Sequence, residues 1–174
     1  MNSNEKYIIA FDLGTTGNKC TLYDFDLNLI ESSTVDYPLI YPEKNHVEQN
    51  PEDFWNSVIR NAKIIFKKTN IEPKNIKAMV CDCQMNSTIP IDKKGTPLMN
   101  CISWLDTRAS KTTKIFRKGL LKISGFGLRK LLMFIKITGG APGINGKDPI
   151  SHILWLKKER PKLYEKTCKR LCDI

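Results

Sequence analysis

The stretch IIAFDLGTTGNKCTLYD, residues 8–24, constrains the fold more than any other part of the chain. It opens as a near-continuous apolar run, the mark of a central strand, and leaves that strand through Asp12. Four of the six residues 12–17 are Gly or Thr, and the chain then re-enters a strand at once. A hairpin needs no more than a two-residue turn, so this longer turn reads as a place where something approaches the backbone closely. Backbone N–H groups in a Gly/Thr turn can face an anion without Cβ obstruction. The hydroxyls of Thr15 and Thr16 add donors, and Lys19 adds positive charge. Asp12 beside a polyphosphate requires a cation between them, and Mg²⁺ suits carboxylate and phosphate oxygens. On spacing alone, a polar hairpin with a solvent-facing Asp12 fits equally well.

The elements around this turn form a consistent pattern. A third β-rich run, LIESSTVDYPL, follows after a short turn, which predicts an antiparallel meander. NPEDFWNSVIRNAKIIFKKT then carries helix-start signals: Asn50 as cap, Pro51 at the first helical position, and Glu52 and Asp53 at the positive end of the dipole. Phe54, Trp55, Val58, Ala62, Ile65 and Phe66 recur at spacings of three and four, predicting one buried face. IKAMVCDCQM reads as the fourth strand, followed by STIPID, the turn DKKGTP and the strand-like run MNCISWLDTR. From Ser110 the chain turns helical and basic, with a glycine-rich break at 139–149 and a helix from Asp148 and Pro149 that Pro161 interrupts. KRLCDI, from Lys169 to Ile174, reads as the start of a strand expected to end unpaired or without helix cover.

Composition excludes some functions. The 174 residues suffice for one domain with a substantial core, and 41% hydrophobic and 26% charged content is that of a globular protein. No apolar run approaches the roughly 18 residues of a membrane span. The N-terminal apolar run is too short for a signal peptide, so a cytoplasmic location is expected. The six cysteines lack a spacing that completes four metal ligands with His46 or His152, and are expected as buried free thiols. Residues 1–100 hold 11 Lys+Arg against 13 Asp+Glu, whereas residues 101–174 hold 17 against 5. The basic half carries no nucleic-acid motif and reads as a solvated face, so nucleic acid is not expected as a partner; nor, with no run long enough to span one, is a membrane. Two phosphate motifs fail: at Gly146-Lys147 the first Walker glycine falls on Ala141, and at Gly125-Phe126-Gly127 the third dinucleotide-fold glycine falls on Lys130.

DLGTTGNK after a buried N-terminal strand resembles the first phosphate loop of the sugar kinase, heat-shock-70 and actin superfamily. Within it the chain is similar to the FGGY carbohydrate kinases, most of all xylulokinase. VEQNPEDFWNSV resembles that family's E-Q-(D/N)-P-x-x-W-W helix entry. CQMNSTIPIDKKGTPLMNCISWLDTRAS resembles its GQMHG…D-x-x-G-x-P-L-x-x-x-I-x-W-x-D-x-R block, and DPISHILWLKKERPKLYEKT its K-L-x-W-x-x-x-x-P-E-x-(F/Y) segment. The matches run in order over nearly the whole chain. Three departures stand out: Asn86 where xylulokinases often have His, Cys81-Asp82-Cys83 in place of small residues, and a longer, more basic stretch at 119–147.

The resemblance implies an α/β fold of the RNase-H-like type, an antiparallel meander followed by helix-crossed strands, in which residues 1–174 form an incomplete N-terminal sugar-binding domain. It implies Asp12 as the Mg²⁺-linked carboxylate and Gly14, Thr15, Thr16 and Lys19 near the phosphates of ATP. It implies Gln84, Met85, Asn86, Trp104, Asp106 and Arg108 on the sugar side. Chemically, a fixed carboxylate accepts two polyol hydroxyls, and an indole offers a wall to sugar C–H groups. Core packing for Trp104 and a surface salt bridge for Arg108 are the structural alternatives. The resemblance places the family's catalytic base at a position beyond Ile174, and its C-terminal ATP-binding domain has no counterpart here. The expected function is therefore ATP-dependent phosphorylation of a sugar hydroxyl, such as that of D-xylulose, by a longer kinase, with the 174-residue chain alone inactive. The alternative is a non-catalytic sugar-sensing module that retains half of the site.

Overall fold

The computed structural model describes residues 6–116, 118–141, 143 and 145–172, the last four by their backbone only. The chain divides into two compact units: the described residues up to Ile40 with Gln49–Met85, and Tyr41–Glu48 with Asn86–Cys172.

In the first unit β1 (Tyr7–Leu13), β2 (Gly17–Asp24) and β3 (Leu29–Asp36) form the predicted antiparallel meander. A short β4 (Glu48–Gln49) precedes α1 (Pro51–Thr69), and β5 (Ile76–Cys83) returns parallel to β1. The sheet order is β3-β2-β1-β5. Alternate residues of β1 and β2 (Tyr7, Ile9, Phe11, Cys20 and Leu22) form the core with Ile65 and Ile71. That period of two follows from the pleat.

Helix α1 starts as expected, with the Asn50 side chain accepting from the Glu52 N–H. Its buried face differs from the apolar pattern: Ser57 and Asn61 are buried beside Phe54 and Ile65, while Trp55 is 63% exposed. The cause is Asn18, fully buried on β2. Its amide donates to Ser57 Oγ at 3.0 Å, and the Asn61 amide donates to the Asn18 carbonyl at 2.8 Å. A buried polar group needs such partners, so α1 turns a polar stripe to the sheet and swings Trp55 outward.

Strand β5 has an unusual exposure. Met79 is 67% and Val80 54% exposed, on opposite faces of the strand. Among the described residues no strand pairs with its outer edge.

The second unit holds β6 (Thr88–Ile91), β7 (Cys101–Ile102), the hairpin β8 (Lys122–Ile123) and β9 (Phe126–Gly127), α2 (Leu128–Thr138), α3 (Pro149–Glu159), α4 (Pro161–Lys166) and β10 (Lys169–Cys172). Its sheet runs β10-β6-β7-β4. β10 pairs antiparallel with all four residues of β6, so of the two expected outcomes, an unpaired strand or one without helix cover, the first is corrected over Lys169–Cys172. The last two residues of the KRLCDI run, Asp173 and Ile174, lie outside the described residues. The strand-like run MNCISWLDTR is strand only at Cys101–Ile102, and a 3-10 helix follows at Arg108–Ile115. Trp104, Asp106 and Arg108 thus leave the strand at a turn, and a strand period does not decide where they point. Pro161 separates α3 from α4 as its first residue.

The two failed phosphate motifs have structural roles. Ser124 and Gly125, with φ of 49° and 82°, make the two-residue turn of the β8–β9 hairpin. Gly146, at φ 72°, lies so close to the Ala109–Ser110 backbone that a Cβ there would overlap it. The thiols also divide: Cys20 and Cys101 are buried as expected, but Cys81 and Cys168 are exposed and Cys83 is half-buried. The side chain of Cys172 lies outside the described ones. Among the described residues no helix is long and apolar enough to cross a membrane, and no group of three or more His, Cys, Asp or Glu is placed to hold a metal.

Candidate functional site

In the first unit, the turn at Gly14–Gly17 closes on itself, its carbonyls held by the protein. The Gly14 N–H donates to the Gly17 carbonyl at 2.9 Å. The Tyr37 hydroxyl donates to the Gly14 carbonyl at 2.6 Å, and the Tyr37 N–H to the Thr16 carbonyl at 3.1 Å. Gln49 Nε2 donates to the Thr15 carbonyl at 2.9 Å. All four carbonyls are engaged, which removes acceptor dipoles that would repel an anion. The glycines serve the turn and the sheet rather than a left-handed backbone, since neither has positive φ. A Cβ on Gly17 would lie 2.8 Å from Asp36 Oδ1 and 3.1 Å from the Val35 carbonyl.

Asp12 is exposed at the end of β1, with Lys19 as its register partner on β2 and Asp82 on β5. Cross-strand partners share a face, so these three exposed charges form a row, Lys19–Asp12–Asp82. Two carboxylates directly opposite are destabilising on their own, which suits a site for a cation. Asp82 was not singled out from the sequence. Its signal was the acidic residue within Cys81-Asp82-Cys83 itself, two residues before Gln84.

Gln84 is tied to the Gly14–Gly17 turn by a relay. Its N–H donates to the Leu13 carbonyl at 2.9 Å, and its Nε2 donates to Gln49 Oε1 at 2.7 Å. Because Gln49 must give its Nε2 to the Thr15 carbonyl, its Oε1 faces Gln84 and both amide orientations are fixed. Gln84 Oε1 is then left buried without a hydrogen-bond partner. Met85, the next residue, is 70% exposed. Gln49 was read only as part of a helix entry; a Glu-Gln pair placed before the Asn50 cap is the signal that carried it.

In the second unit, the Asp106 carboxylate is fully buried and bonded through both oxygens. Oδ2 accepts from the Val47 N–H at 2.6 Å, Arg108 Nε at 2.9 Å and Arg108 Nη2 at 2.8 Å, and Oδ1 accepts from the Arg108 N–H at 2.7 Å. Two hydrogen bonds and the ion pair fall on Oδ2 and one hydrogen bond on Oδ1, so both oxygens are held. Arg108 continues to Glu48 Oε1 at 2.7 Å and lies over the Trp155 ring at 5.1 Å. Glu48 also accepts from Asn100 Nδ2 at 3.0 Å. Ser103 N–H donates to the Val47 carbonyl and Thr107 N–H to the Asn45 carbonyl, so the 45–47 segment clamps both ends of the Trp104 turn. Trp104 itself is 38% exposed, with Lys147 Nζ 5.7 Å from its ring centre. Asn86 is exposed at φ 63°, a conformation Asn tolerates better than most residues.

His152 on α3 is a further buried polar group that the sequence left unassigned. Its Nδ1 lies 3.0 Å from Thr88 Oγ1, while Nε2 and the nearby-in-sequence Ser87 Oγ are buried without a partner. Burial pushes the imidazole down from 6.5 to about 4, with Asp106 pulling it up and Arg108 opposing.

Relatives share both sequence and fold with this chain. It is 26% identical to the glycerol kinase of Thermococcus gammatolerans, over 97% of its own length and 36% of the relative's. It is 29% identical to the gluconokinase of Bacillus subtilis, over 94% and 29%. A ligand-bound xylulose kinase from Lactobacillus acidophilus superposes with a TM-score of 0.76 at 27% identity, over 95% of this chain and 31% of that one. The chain thus spans about a third of the length of the relatives it matches. With α/β units whose neighbours are sugar kinases of the actin and heat-shock-70 type, and with residues 7–172 matching the N-terminal domain of the FGGY family of carbohydrate kinases, the chain belongs to that family.

Proposed function

We propose that residues 1–174 are the N-terminal substrate domain of a kinase that transfers phosphate from ATP to a hydroxyl of a sugar or polyol. A pentulose such as D-xylulose is the first candidate substrate, with gluconate and glycerol, named by two relatives, as the alternatives. The observation that carries this reading is the relay from Thr15 through Gln49 to Gln84. It leaves one oriented acceptor, Gln84 Oε1, buried and unused, which suits a hydroxyl donor. Trp104, partly exposed on its clamped turn, offers a flat apolar surface to a sugar C–H face. Asp106 and Arg108 act as positioning residues for that turn, since the Asp106 carboxylate is fully buried and both its oxygens are bonded within the protein. Met85 and Asn86, both exposed, flank the acceptor in sequence and set the choice of sugar.

Gly14, Thr15, Thr16 and Lys19 would hold the phosphates, and Asp12 with Asp82 would hold Mg²⁺. The row of charges and the engaged carbonyls fit both groups. When bound, the ion neutralises charge on the phosphate oxygens. What this chain's residues do is hold and orient. No side chain among residues 1–174 is assigned as the base that takes the hydroxyl proton; the family resemblance gives that role to a residue of the longer kinase. The chain by itself is therefore expected to bind without turnover, in partnership with a C-terminal kinase domain and in the cytoplasm.

Calorimetric titration of the 174-residue protein with D-xylulose, D-ribulose, gluconate and glycerol, alongside an ADP-release assay, tests the proposal. Binding of one polyol, lost in Gln84→Met, without ADP release is the expected result. Sugar-dependent ADP release from the pure chain would remove the claim that it lacks a base. Binding of none would remove the assignment of Gln84. A sensing role without catalysis is separated by adding the polyol to the native protein at its full cellular size, where a kinase releases ADP and a sensor does not.

A further inference from the structure

A second surface, in the second unit, is not used by the function proposed above. Helix α2 has seven apolar residues among eleven, and none is buried. Leu132 is 58%, Met133 59% and Ile137 76% exposed, and on the preceding segment and hairpin Leu120 is 105%, Leu121 68% and Ile123 51% exposed. Two almost wholly apolar grooves lie along it. One of about 570 Å³ is bounded by Leu120, Leu121, Leu128 and Leu132, and one of about 280 Å³ by Phe116, Met133, Phe134 and Ile137. An apolar surface of this kind marks a site of interaction.

Its charge says with what. Residues 108–147 hold ten Lys+Arg and no Asp or Glu. Lys118, Lys122, Arg129 and Lys136 are exposed among the apolar side chains. Two copies meeting through this face would bring like charges together, which disfavours a dimer. Nucleic acid would leave the aliphatic side chains unsatisfied, and stacking on bases needs exposed aromatic rings. Here the local aromatics pack on each other, Phe116 against Phe134 at 5.5 Å. Aliphatic side chains interleaved with basic ones, as Arg129 and Lys136 lie between Leu132 and Met133 on the helix surface, suit a phase that is apolar inside and anionic at its surface. At eleven residues α2 is about 16 Å long, too short to span a bilayer but suited to lie in its interface.

We propose that the hairpin and α2, residues 118–138, dock this protein on an anionic lipid surface. The aliphatic side chains enter the headgroup boundary, and Lys118, Lys122, Arg129 and Lys136 face the acidic lipid headgroups. The expectation of no membrane partner rested on the absence of a spanning segment, which does not bear on peripheral binding.

Sedimentation of the 174-residue protein with phosphatidylcholine vesicles, with and without phosphatidylserine, tests this. Binding only to the anionic vesicles is expected. Leu120→Ser with Leu132→Ser should weaken it at least tenfold, and both positions are exposed enough to leave folding intact. Lys118→Gln with Lys122→Gln should weaken it about thirtyfold, each basic side chain near the surface being worth about a factor of five. Failure to sediment with anionic vesicles overturns the proposal. So does binding that the lysine pair abolishes and the leucine pair leaves unchanged, which is adsorption of a basic chain by charge alone. Reversible dimerisation in the ultracentrifuge that the leucine pair abolishes overturns it too, by giving the face to a second copy.

Discussion

The Asp106 carboxylate grips the Val47 backbone N–H at 2.6 Å across 59 residues of chain. That one contact ties the segment before α1 to the turn that carries Trp104. Asp106→Asn keeps the shape but loses the anion that Arg108 binds through Nε and Nη2. Breaking a buried charge pair by changing one partner costs about 3–5 kcal/mol. We expect a loss of that order in urea denaturation, with a change in Trp104 fluorescence. Arg108→Lys should also destabilise, because an ammonium cannot reproduce the planar fork that reaches Asp106 and Glu48 together. A loss under about 1 kcal/mol in both variants would mean that the network does not hold the turn.

Gln49→Leu tests the relay without touching the proposed acceptor. It removes the donor to the Thr15 carbonyl and the acceptor for Gln84 Nε2. Loss of one buried polar partner costs about 1–3 kcal/mol. Polyol affinity should fall about tenfold, because Gln84 is no longer held in one orientation. Unchanged affinity by calorimetry would separate Gln84 from the Gly14–Gly17 turn.

Acid should destabilise the second unit through His152. Its folded value, about 4, lies below the unfolded 6.5 because burial disfavours the imidazolium. The unfolded chain therefore binds the proton first. The stability contributed by neutral His152 is present above pH 6.5 and is lost as pH falls from 6.5 to about 4. The full loss is on the order of 3 kcal/mol. His152→Gln should flatten the stability–pH curve across this window, measured by urea midpoints at constant ionic strength. A curve of unchanged slope would show that other groups carry the acid sensitivity.

The thiols should react in two classes. Burial pushes Cys20 up to about 12, and Cys101 is also buried, whereas Cys81 and Cys168 are exposed. Only a thiolate attacks. Brief alkylation of the native protein at neutral pH, mapped by peptide mass, should label Cys81 and Cys168 and spare Cys20 and Cys101. Early labelling of Cys20 would mean that the β1–β2 core opens readily.

The parts of this fold that were readable from sequence are those where local chemistry and burial agree. The β1–β3 meander follows from alternating apolar residues joined by short turns, and α1 from the Asn50 cap and Pro51. What was missed lies where a distant partner overrides the pattern. Trp55 fits the apolar stripe of α1, but buried Asn18 draws Ser57 and Asn61 inward instead. The run through Trp104 has strand-like composition, but Asp106 bends it by capturing Val47 and Arg108. Within the candidate site, Asp12 and Gln84 could be named from motifs. Their neighbours Asp82 and Gln49 emerge only from strand register and from the relay. A partner that far along the chain leaves no periodicity to read.

The bare outer edge of β5 places this chain in a race. Met79 and Val80 are exposed on its two faces, and among the described residues nothing pairs with its far side. An edge of this kind accepts whichever extended segment arrives first. A segment tethered to the same chain arrives at an effective concentration on the order of millimolar, against the micromolar concentrations at which folding intermediates already aggregate. Tethering therefore favours pairing within one molecule over capture by a neighbour for as long as that row of amides stays open.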